Sequence, residues 1–410
     1  MPQDLLDLPP EVFQRVVHEL VSDVGVVEAW KLRGVCRTFA AEIHHDIFAH
    51  QPKEILLASM DTSEHMKIFQ NNLTVYLRNR LNKRLDANGM LVSKIQELWD
   101  YPTETLHIQD FQKRQECAAR LIEGIVSDPD PLYWMAFIWD EQLWPHRHNH
   151  ADAYMVPATA ADKLIAVVAV GEHDLIPGLF ELPENGDYTM FSRPLVIATG
   201  NRDTEMVRTL ISCYKKLHPK NNTHPDIVDA IDSAIQIGNV DALELLIQTC
   251  RSWGHCYYSE KRAYRGWMQC SIIHDSVASL DTVIENRGGR KGMLTQEVVK
   301  LICRSGKDTM INHYIEKGLL DVNKVYSHTS PLIIATHAGN VRTMATLISA
   351  GADVDKATSD GTTPLFIASK KHRKGAMNYL LDNGANTDTD NWPECPKDAA
   401  RNFLRQKLSL

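Results

Sequence analysis

Ser330-Pro331-Leu332-Ile333-Ile334-Ala335 and Thr363-Pro364-Leu365-Phe366-Ile367-Ala368 are two copies of one phrase, 33 residues apart. The same interval separates Gly351-Ala352 from Gly384-Ala385. A [ST]-P-L-x-x-A start on a fixed period of this length describes a unit built from a turn and two short helices. Proline at the first helical position loses nothing, because its missing N–H has no intrahelical partner there. Leu365 and Ala368 give the first helix a narrow apolar side. Met377, Leu380 and Leu381 space the second helix at i, i+3, i+4. Gly384 follows at a C-cap position. Met344, Leu347, Ile348 and Gly351 repeat those offsets one unit earlier. Such a unit cannot bury its apolar face alone, so neighbours must stack.

This pattern resembles the ankyrin repeat, and the resemblance implies an all-α solenoid that binds proteins. Weaker copies lie upstream. Gly306 to Gly339 and Gly318 to Gly351 are again 33 residues, so 296–328 reads as another unit without the proline. Ala234 to Val240, followed by Leu243, Leu246 and Ile247, matches the offsets of Ala335 to Ile348. Arg193-Pro194-Leu195-Val196-Ile197-Ala198 with Val207, Leu210 and Ile211 gives one more, with Arg202 at the usual glycine position. The stretches 164–180 and 268–289 are the most degenerate. The expectation is about seven units from near Ala160 to about Trp392, inside an array spanning 160–410 with a C-terminal cap. The aromatic stretch 251–267, with Trp253, Tyr257, Tyr258, Tyr264 and Trp267, exceeds a normal inter-unit turn and reads as packing over a neighbouring unit.

The first 50 residues carry a different signal. Leu8-Pro9-Pro10-Glu11 opens an amphipathic helix with Val12, Val16, Val17 and Leu20 on one side. A break at Ser22 to Gly25 follows, then Val27, Trp30 and Leu32, and a third short helix with Val35, Cys36, Phe39 and Ile43. Three short helices bury too little surface to stand alone. The stretch resembles an F-box, on Leu8-Pro9-Pro10-Glu11-Val12 at its start and Leu32-Arg33-Gly34-Val35-Cys36-Arg37-Thr38-Phe39 at its end. The segment Val21 to Lys31 is less leucine-rich than that family's pattern. An F-box-like head before an ankyrin array is similar to a group of filamentous-fungal proteins. The resemblance implies a docking site for the small adaptor subunit of a Skp–cullin–F-box ubiquitin ligase, with Leu8, Pro9, Pro10, Val12, Val35 and Cys36 as the contacts. The array would hold the substrate.

A helical middle region, 51–159, joins head and array and shows no repeat. Leu73, Tyr76, Leu77 and Leu81 suggest a helix with one apolar side. Arg78, Arg80, Lys83 and Arg84 read as its solvated face. Further helices are expected over 111–125 and 132–144, the second packing the middle region onto the first repeat unit.

Composition excludes several classes. A net charge of −8 disfavours a general nucleic-acid binder. The start lacks a signal peptide, and the apolar run 164–170 is too short to cross a bilayer. Eight scattered cysteines suit a reducing compartment, so a cytoplasmic or nuclear location is expected. His146, His148 and His150 lie close together in a loop, and Cys250, Cys256, Cys270 and His274 lack the close cysteine pair of a convincing zinc site. No phosphate-binding loop, dinucleotide fingerprint or hydrolase elbow appears. The expectation is therefore no metal, no cofactor and no catalysis. Lys370-Lys371-His372-Arg373-Lys374 resembles a nuclear-import run, but it falls between two repeat helices and reads as a solvated turn.

Two functions remain: a ligase substrate receptor, or a non-catalytic scaffold or regulator whose head only caps the array. The protein target is unnamed in either. Tyr326, Lys356, Ser359 and Asp360, in the turns before the last two units, are the candidate target contacts, with Tyr326 the aromatic anchor.

Overall fold

The computed structural model describes residues 5–52, 55–56, 63–83, 89–126, 158–180, 193–217, 225–252, 260–287, 294–326 and 328–388. The expected helix at 132–144, the His146–His150 loop, Trp253, Tyr257, Tyr258, Cys256 and the C-terminal cap beyond residue 388 lie outside them. The described residues are all-helical, with one isolated bridge between Tyr326 and Thr329. The chain divides into two compact units, Met1–Lys220 and Asn221–Leu410.

The first unit begins with α1 (Pro10–Val24), α2 (Val26–Lys31) and α3 (Arg37–Ala49). Pro10 occupies the first position of α1. Phe13, Val17 and Val21 are the residues α1 buries as it packs on α2 and α3, with the Phe13 and Phe39 ring centres 6.0 Å apart. Spacing at i, i+4, i+8 gives this inward stripe. It differs from the expected Val12-Val16-Val17-Leu20 face, because Val12 and Val16 form a second stripe that points outward. The Cys36 Sγ caps α3 by accepting from the Phe39 N–H at 3.4 Å.

Next come α4 (Ser63–Gln70), α5 (Leu73–Lys83), α6 (Gly89–Thr105) and α7 (Phe111–Val126). Leu73, Tyr76, Leu77 and Leu81 are buried as expected, but so is Arg80, which is not on a solvated face. Its guanidinium donates to the Gln51 carbonyl and lies over the Tyr76 ring. Gln51 in turn donates to the buried Asp46 carboxylate at 2.5 Å, and Asp46 meets His18 Nδ1 at 2.9 Å. This polar chain joins α1 and α3 to α5.

Helix α8 (Ala160–Val170) is buried along Leu164–Val170 because α6, α7 and α10 (Pro194–Gly200) surround it. Helices α6 and α7 thus cover the first repeat-like pair; segment 132–144, expected to pack there, lies outside the described residues. Thr159 and Asp162 form a capping box at the start of α8. The pair α8 and α9 (Ile176–Phe180) is followed by the pair α10 and α11 (Thr204–Leu217).

The second unit contains five further pairs among the described residues. They are α12 (Pro225–Ile237) with α13 (Val240–Ser252), α14 (Glu260–Ile273) with α15 (Val277–Asn286), and α16 (Gln296–Ser305) with α17 (Asp308–Glu316). Then follow α18 (Pro331–Ala338) with α19 (Val341–Ser349), and α20 (Pro364–Lys370) with α21 (Lys374–Asp382). First helices pack on first helices along α12, α14, α16, α18 and α20, and α17, α19 and α21 pack likewise. That is solenoid packing, in which each layer is covered by the next. Ser330 and Thr363 accept from the Ile333 and Phe366 N–H groups, as the repeated phrase requires of N-caps.

One left-handed residue turns the chain inside each pair. Gly339 does so at φ 81 between α18 and α19, and its successor Asn340 closes the turn by donating its N–H to the Ala335 carbonyl at 3.1 Å. Arg202, Asp275 and His372 hold the same place at φ 58, 55 and 53. Asp275 compensates with a side-chain bond, accepting from the Thr309 hydroxyl at 2.5 Å.

Candidate functional site

Two surfaces emerge from this scaffold. The first is the outward side of the N-terminal helices. Leu5, Leu6, Val12, Val16, Val24, Leu32 and Val35 are seven of the ten exposed large apolar side chains among the described residues. Val35 is 70% exposed and Val12 46%. Pro9 and Pro10 are exposed beside them, and Leu8 is half-buried. Cys36 is half-buried with its sulfur used in the α3 cap, so its side chain is already engaged. Arg33 stacks over Trp30, 3.8 Å from the ring centre, at the edge of this patch. Scattered exposed apolar residues are ordinary, and their concentration on this head makes its outward side a candidate docking face.

The second surface is formed by the loops between pairs in the last part of the chain. A ladder of side chains holds successive loops in register. Asn323 Oδ1 accepts from the Asp353 N–H at 2.8 Å, and Asp355 Oδ1 accepts from the Asn386 N–H at 2.9 Å. His328 Nδ1 and Ser359 Oγ lie 3.0 Å apart across two loops. Asp360 is exposed, accepts from the Thr358 and Thr362 hydroxyls, and is held below the usual carboxylate range first by the Thr358 hydroxyl. Lys356 is half-buried and Ser359 exposed.

Tyr326 is not the exposed anchor expected from sequence. It is only 7% exposed. Its N–H donates to the Thr329 carbonyl at 2.8 Å, and its own carbonyl accepts from the Thr329 N–H at 3.2 Å. That tight turn, with His328 at φ 73, directs the ring inward. Burial pushes the Tyr326 hydroxyl pKa up. The exposed apolar tip of this loop is Val325, at 46%, a β-branched residue with no motif around it to single it out in the sequence.

Cys250 is disulfide-bonded. Cys36, Cys117, Cys213, Cys270 and Cys303 are free thiols. Burial raises Cys270 to about 11 and Cys303 to about 12, the opposite of what an activated nucleophile needs. Among the described residues no cluster of three or more His, Cys, Asp or Glu side chains is placed to hold a metal ion. None of their helices is long and apolar enough to cross a membrane.

Residues 295–391 match the family model described as ankyrin repeats, three copies. The match covers α16 to α21, which supply three helix pairs. This part of the chain therefore consists of ankyrin repeats and is a protein–protein interaction module. The ankyrin repeat domain of Bcl-3, a unique member of the IkappaB protein family, is similar at 18% identity with a TM-score of 0.35. That similarity covers 54% of this chain and 100% of that one. The human ASB11 ankyrin repeat domain is similar at 18% identity with a TM-score of 0.34, covering 52% of this chain and 98% of that one. No curated protein matches the chain.

Proposed function

We propose that the protein is a non-catalytic receptor that docks by its N-terminal helices on the adaptor subunit of a Skp–cullin–F-box ubiquitin ligase and holds a target protein on its repeats. The observation that carries this reading is the exposed apolar patch around Val12, Val16, Leu32 and Val35. Val12, Leu32 and Val35 are among the residues on which the F-box resemblance rests. Leu8, Pro9, Pro10, Val12 and Val35 are the proposed adaptor contacts, with Cys36 setting the start of α3 behind them. Lys356, Ser359 and Asp360, together with Val325, are the proposed target contacts. The receptor supplies proximity: a bound target experiences the attached machinery at high effective concentration.

A second reading has its own support. The buried chain from His18 through Asp46 and Gln51 to Arg80 fastens the head firmly to α5. That join is what a structural cap on a scaffold protein would also need.

The test is direct. The full-length chain, mixed with the purified adaptor, is expected to migrate with it on size exclusion, and Val12→Glu with Val35→Glu is expected to abolish the shift. Truncating or charging central apolar anchors commonly costs about 2 kcal/mol or more. Co-migration unaffected by the double substitution, or absent from the wild type, leaves the scaffold reading in place.

A further inference from the structure

The repeats at 295–388 are electrically polarised. Their inter-helix turns carry Arg304, Lys307, Lys370, Lys371, Arg373 and Lys374, and Asp308 is the only carboxylate among those turns. The inter-unit loops at the other end of the same helices carry Asp321, Asp353, Asp355, Asp360 and Asp388 against Lys324 and Lys356. A first helix of this length separates the two ends by about 12 Å. In a chain of net charge −8, so basic an end is a local departure from the whole.

The basic end is unneutralised. Asp308 is engaged by Arg342, Nε to Oδ2 at 3.4 Å. Among the described residues Arg304, Lys370, Lys371, Arg373 and Lys374 form no ion pair. All five are exposed. Nor are they scattered. Arg304 and His337 hold equivalent places two residues before the turning Gly306 and Gly339, and Lys370 stands two before His372. The Asn340 side-chain amide donates to the Arg304 carbonyl at 2.5 Å, fixing one turn against the next. Arg373 lies across Gly339, its Cδ 3.1 Å from where a Cβ there would stand. The 370–374 run is thus folded: Lys370 ends α20, His372 turns left-handed and Lys374 opens α21.

We infer that this row of turns is a docking surface for an acidic segment of a protein partner. The inference deepens the reading of the array as the target-holding part, and it rests on that reading. The first turn offers Arg304 and Lys307 and the third offers Lys370, Lys371, Arg373 and Lys374, on either side of a middle turn that carries only His337; cations spread over stacked turns fit an extended chain of carboxylates better than one compact anion. Complementary charge of this kind sets partner choice and association rate. The crowding registers on His337. Its pKa is lowered first by burial and then by Lys371, Arg304 and Arg373. A ligand that neutralises those cations is expected to move it back up.

The experiment uses the full-length chain and a fluorescein-labelled peptide of alternating Glu and Ser, read by anisotropy. Binding at low salt is expected to weaken steeply as the screening length falls below about 10 Å near 0.1 M. Arg304→Gln with Lys371→Gln is expected to weaken it about tenfold, which is about 1.4 kcal/mol. Lys317→Gln with Lys324→Gln removes the same charge from the opposite end and is expected to leave affinity unchanged. Thermal melts verify that both variants fold. Equal loss in the two double variants, or no binding by the wild type, overturns the proposal. A single-stranded oligonucleotide of matched charge that binds tighter than the peptide, and loses affinity on the same substitutions, overturns it in favour of nucleic acid. Adaptor capture is measured in parallel on each variant, so failure of the head reading and failure of this one are told apart.

Discussion

Lys94 Nζ stands 3.4 Å from Asp162 Oδ2, with the two side chains 5% and 4% exposed. The pair ties α6 to the first turn of α8. Asp162 is also half of the capping box, accepting from the Thr159 N–H at 3.0 Å. Taking both charges out of water is costly, and their attraction offsets that cost only while both are present. Lys94→Met is therefore expected to destabilise the first unit by about 3–5 kcal/mol. Adding Asp162→Asn, which removes the stranded charge but keeps a capping oxygen, is expected to recover part of the loss. Denaturant midpoints of the two variants decide it; a double variant less stable than Lys94→Met sinks the account.

Gly124 of α7 faces α8 and α10 so closely that a Cβ would lie 2.9 Å from Ala169 Cβ and 3.0 Å from Ile197 Cγ2. Ala169 Cβ cannot swing away. Gly124→Ala is expected to destabilise by about 1–3 kcal/mol despite alanine's better helix propensity. Gly200 ends α10 with open space around it and no left-handed backbone. Gly200→Ala is expected to stabilise by about 0.4–1 kcal/mol. Two melts of opposite sign are the check.

Tyr326 is buried, so Tyr326→Ala is expected to lower stability by about 3 kcal/mol, as aromatic core truncations do. Lys356→Ala and Ser359→Ala are expected to stay within about 0.5 kcal/mol. Any loss of target binding in Tyr326→Ala therefore has to be read beside its melting curve.

His337 gives a pH prediction. A histidine with a lowered folded pKa contributes stability that is full above its ordinary value and is lost as pH falls through the folded one. The side chain is exposed, so the sensitive readout is its NMR titration and not a melt. Lys371→Gln is expected to shift the midpoint upward, but not fully to the ordinary value, because partial desolvation of the ring is the larger cause. An unchanged or lower midpoint contradicts the placement of Lys371 near the ring.

The last repeats were legible because their signals are local. Ser330 and Thr363 cap the helix that the next proline begins, and the turning glycines lie at a constant distance. Arg202 was legible as a glycine substitute because the phrase around it survives. Asp275 was not, since its left-handed turn is supported by Thr309, more than 30 residues away in sequence. Burial direction was the weakest inference. Helix α1 has two apolar stripes, and periodicity alone does not say that Phe13 and Val21 face inward while Val12 and Val16 face out. Arg80 looked solvated because nothing in its neighbourhood announces the Gln51 carbonyl that receives it. Tyr326 looked like a loop tip because only the bridge to Thr329 turns it in.

The two stripes of α1 also separate folding from docking. Val21 is fully buried on the inward stripe. Val21→Ala deletes two methyl groups there, and is expected to cost about 1–3 kcal/mol and to impair every property of the head together. Val16 lies on the outward stripe and Val35 just before α3, 39% and 70% exposed. Charging both, as Val16→Glu with Val35→Glu, removes apolar surface from water-facing positions and leaves the core intact, so the melting temperature is expected to hold within a few degrees. If the outward stripe is an interface, adaptor capture is lost in this variant while the fold persists. If instead the variant unfolds, Val16 and Val35 contribute to the head's own packing, and the exposed patch no longer argues for a partner. Far-UV circular dichroism melts run beside adaptor capture on the same protein distinguish the two outcomes.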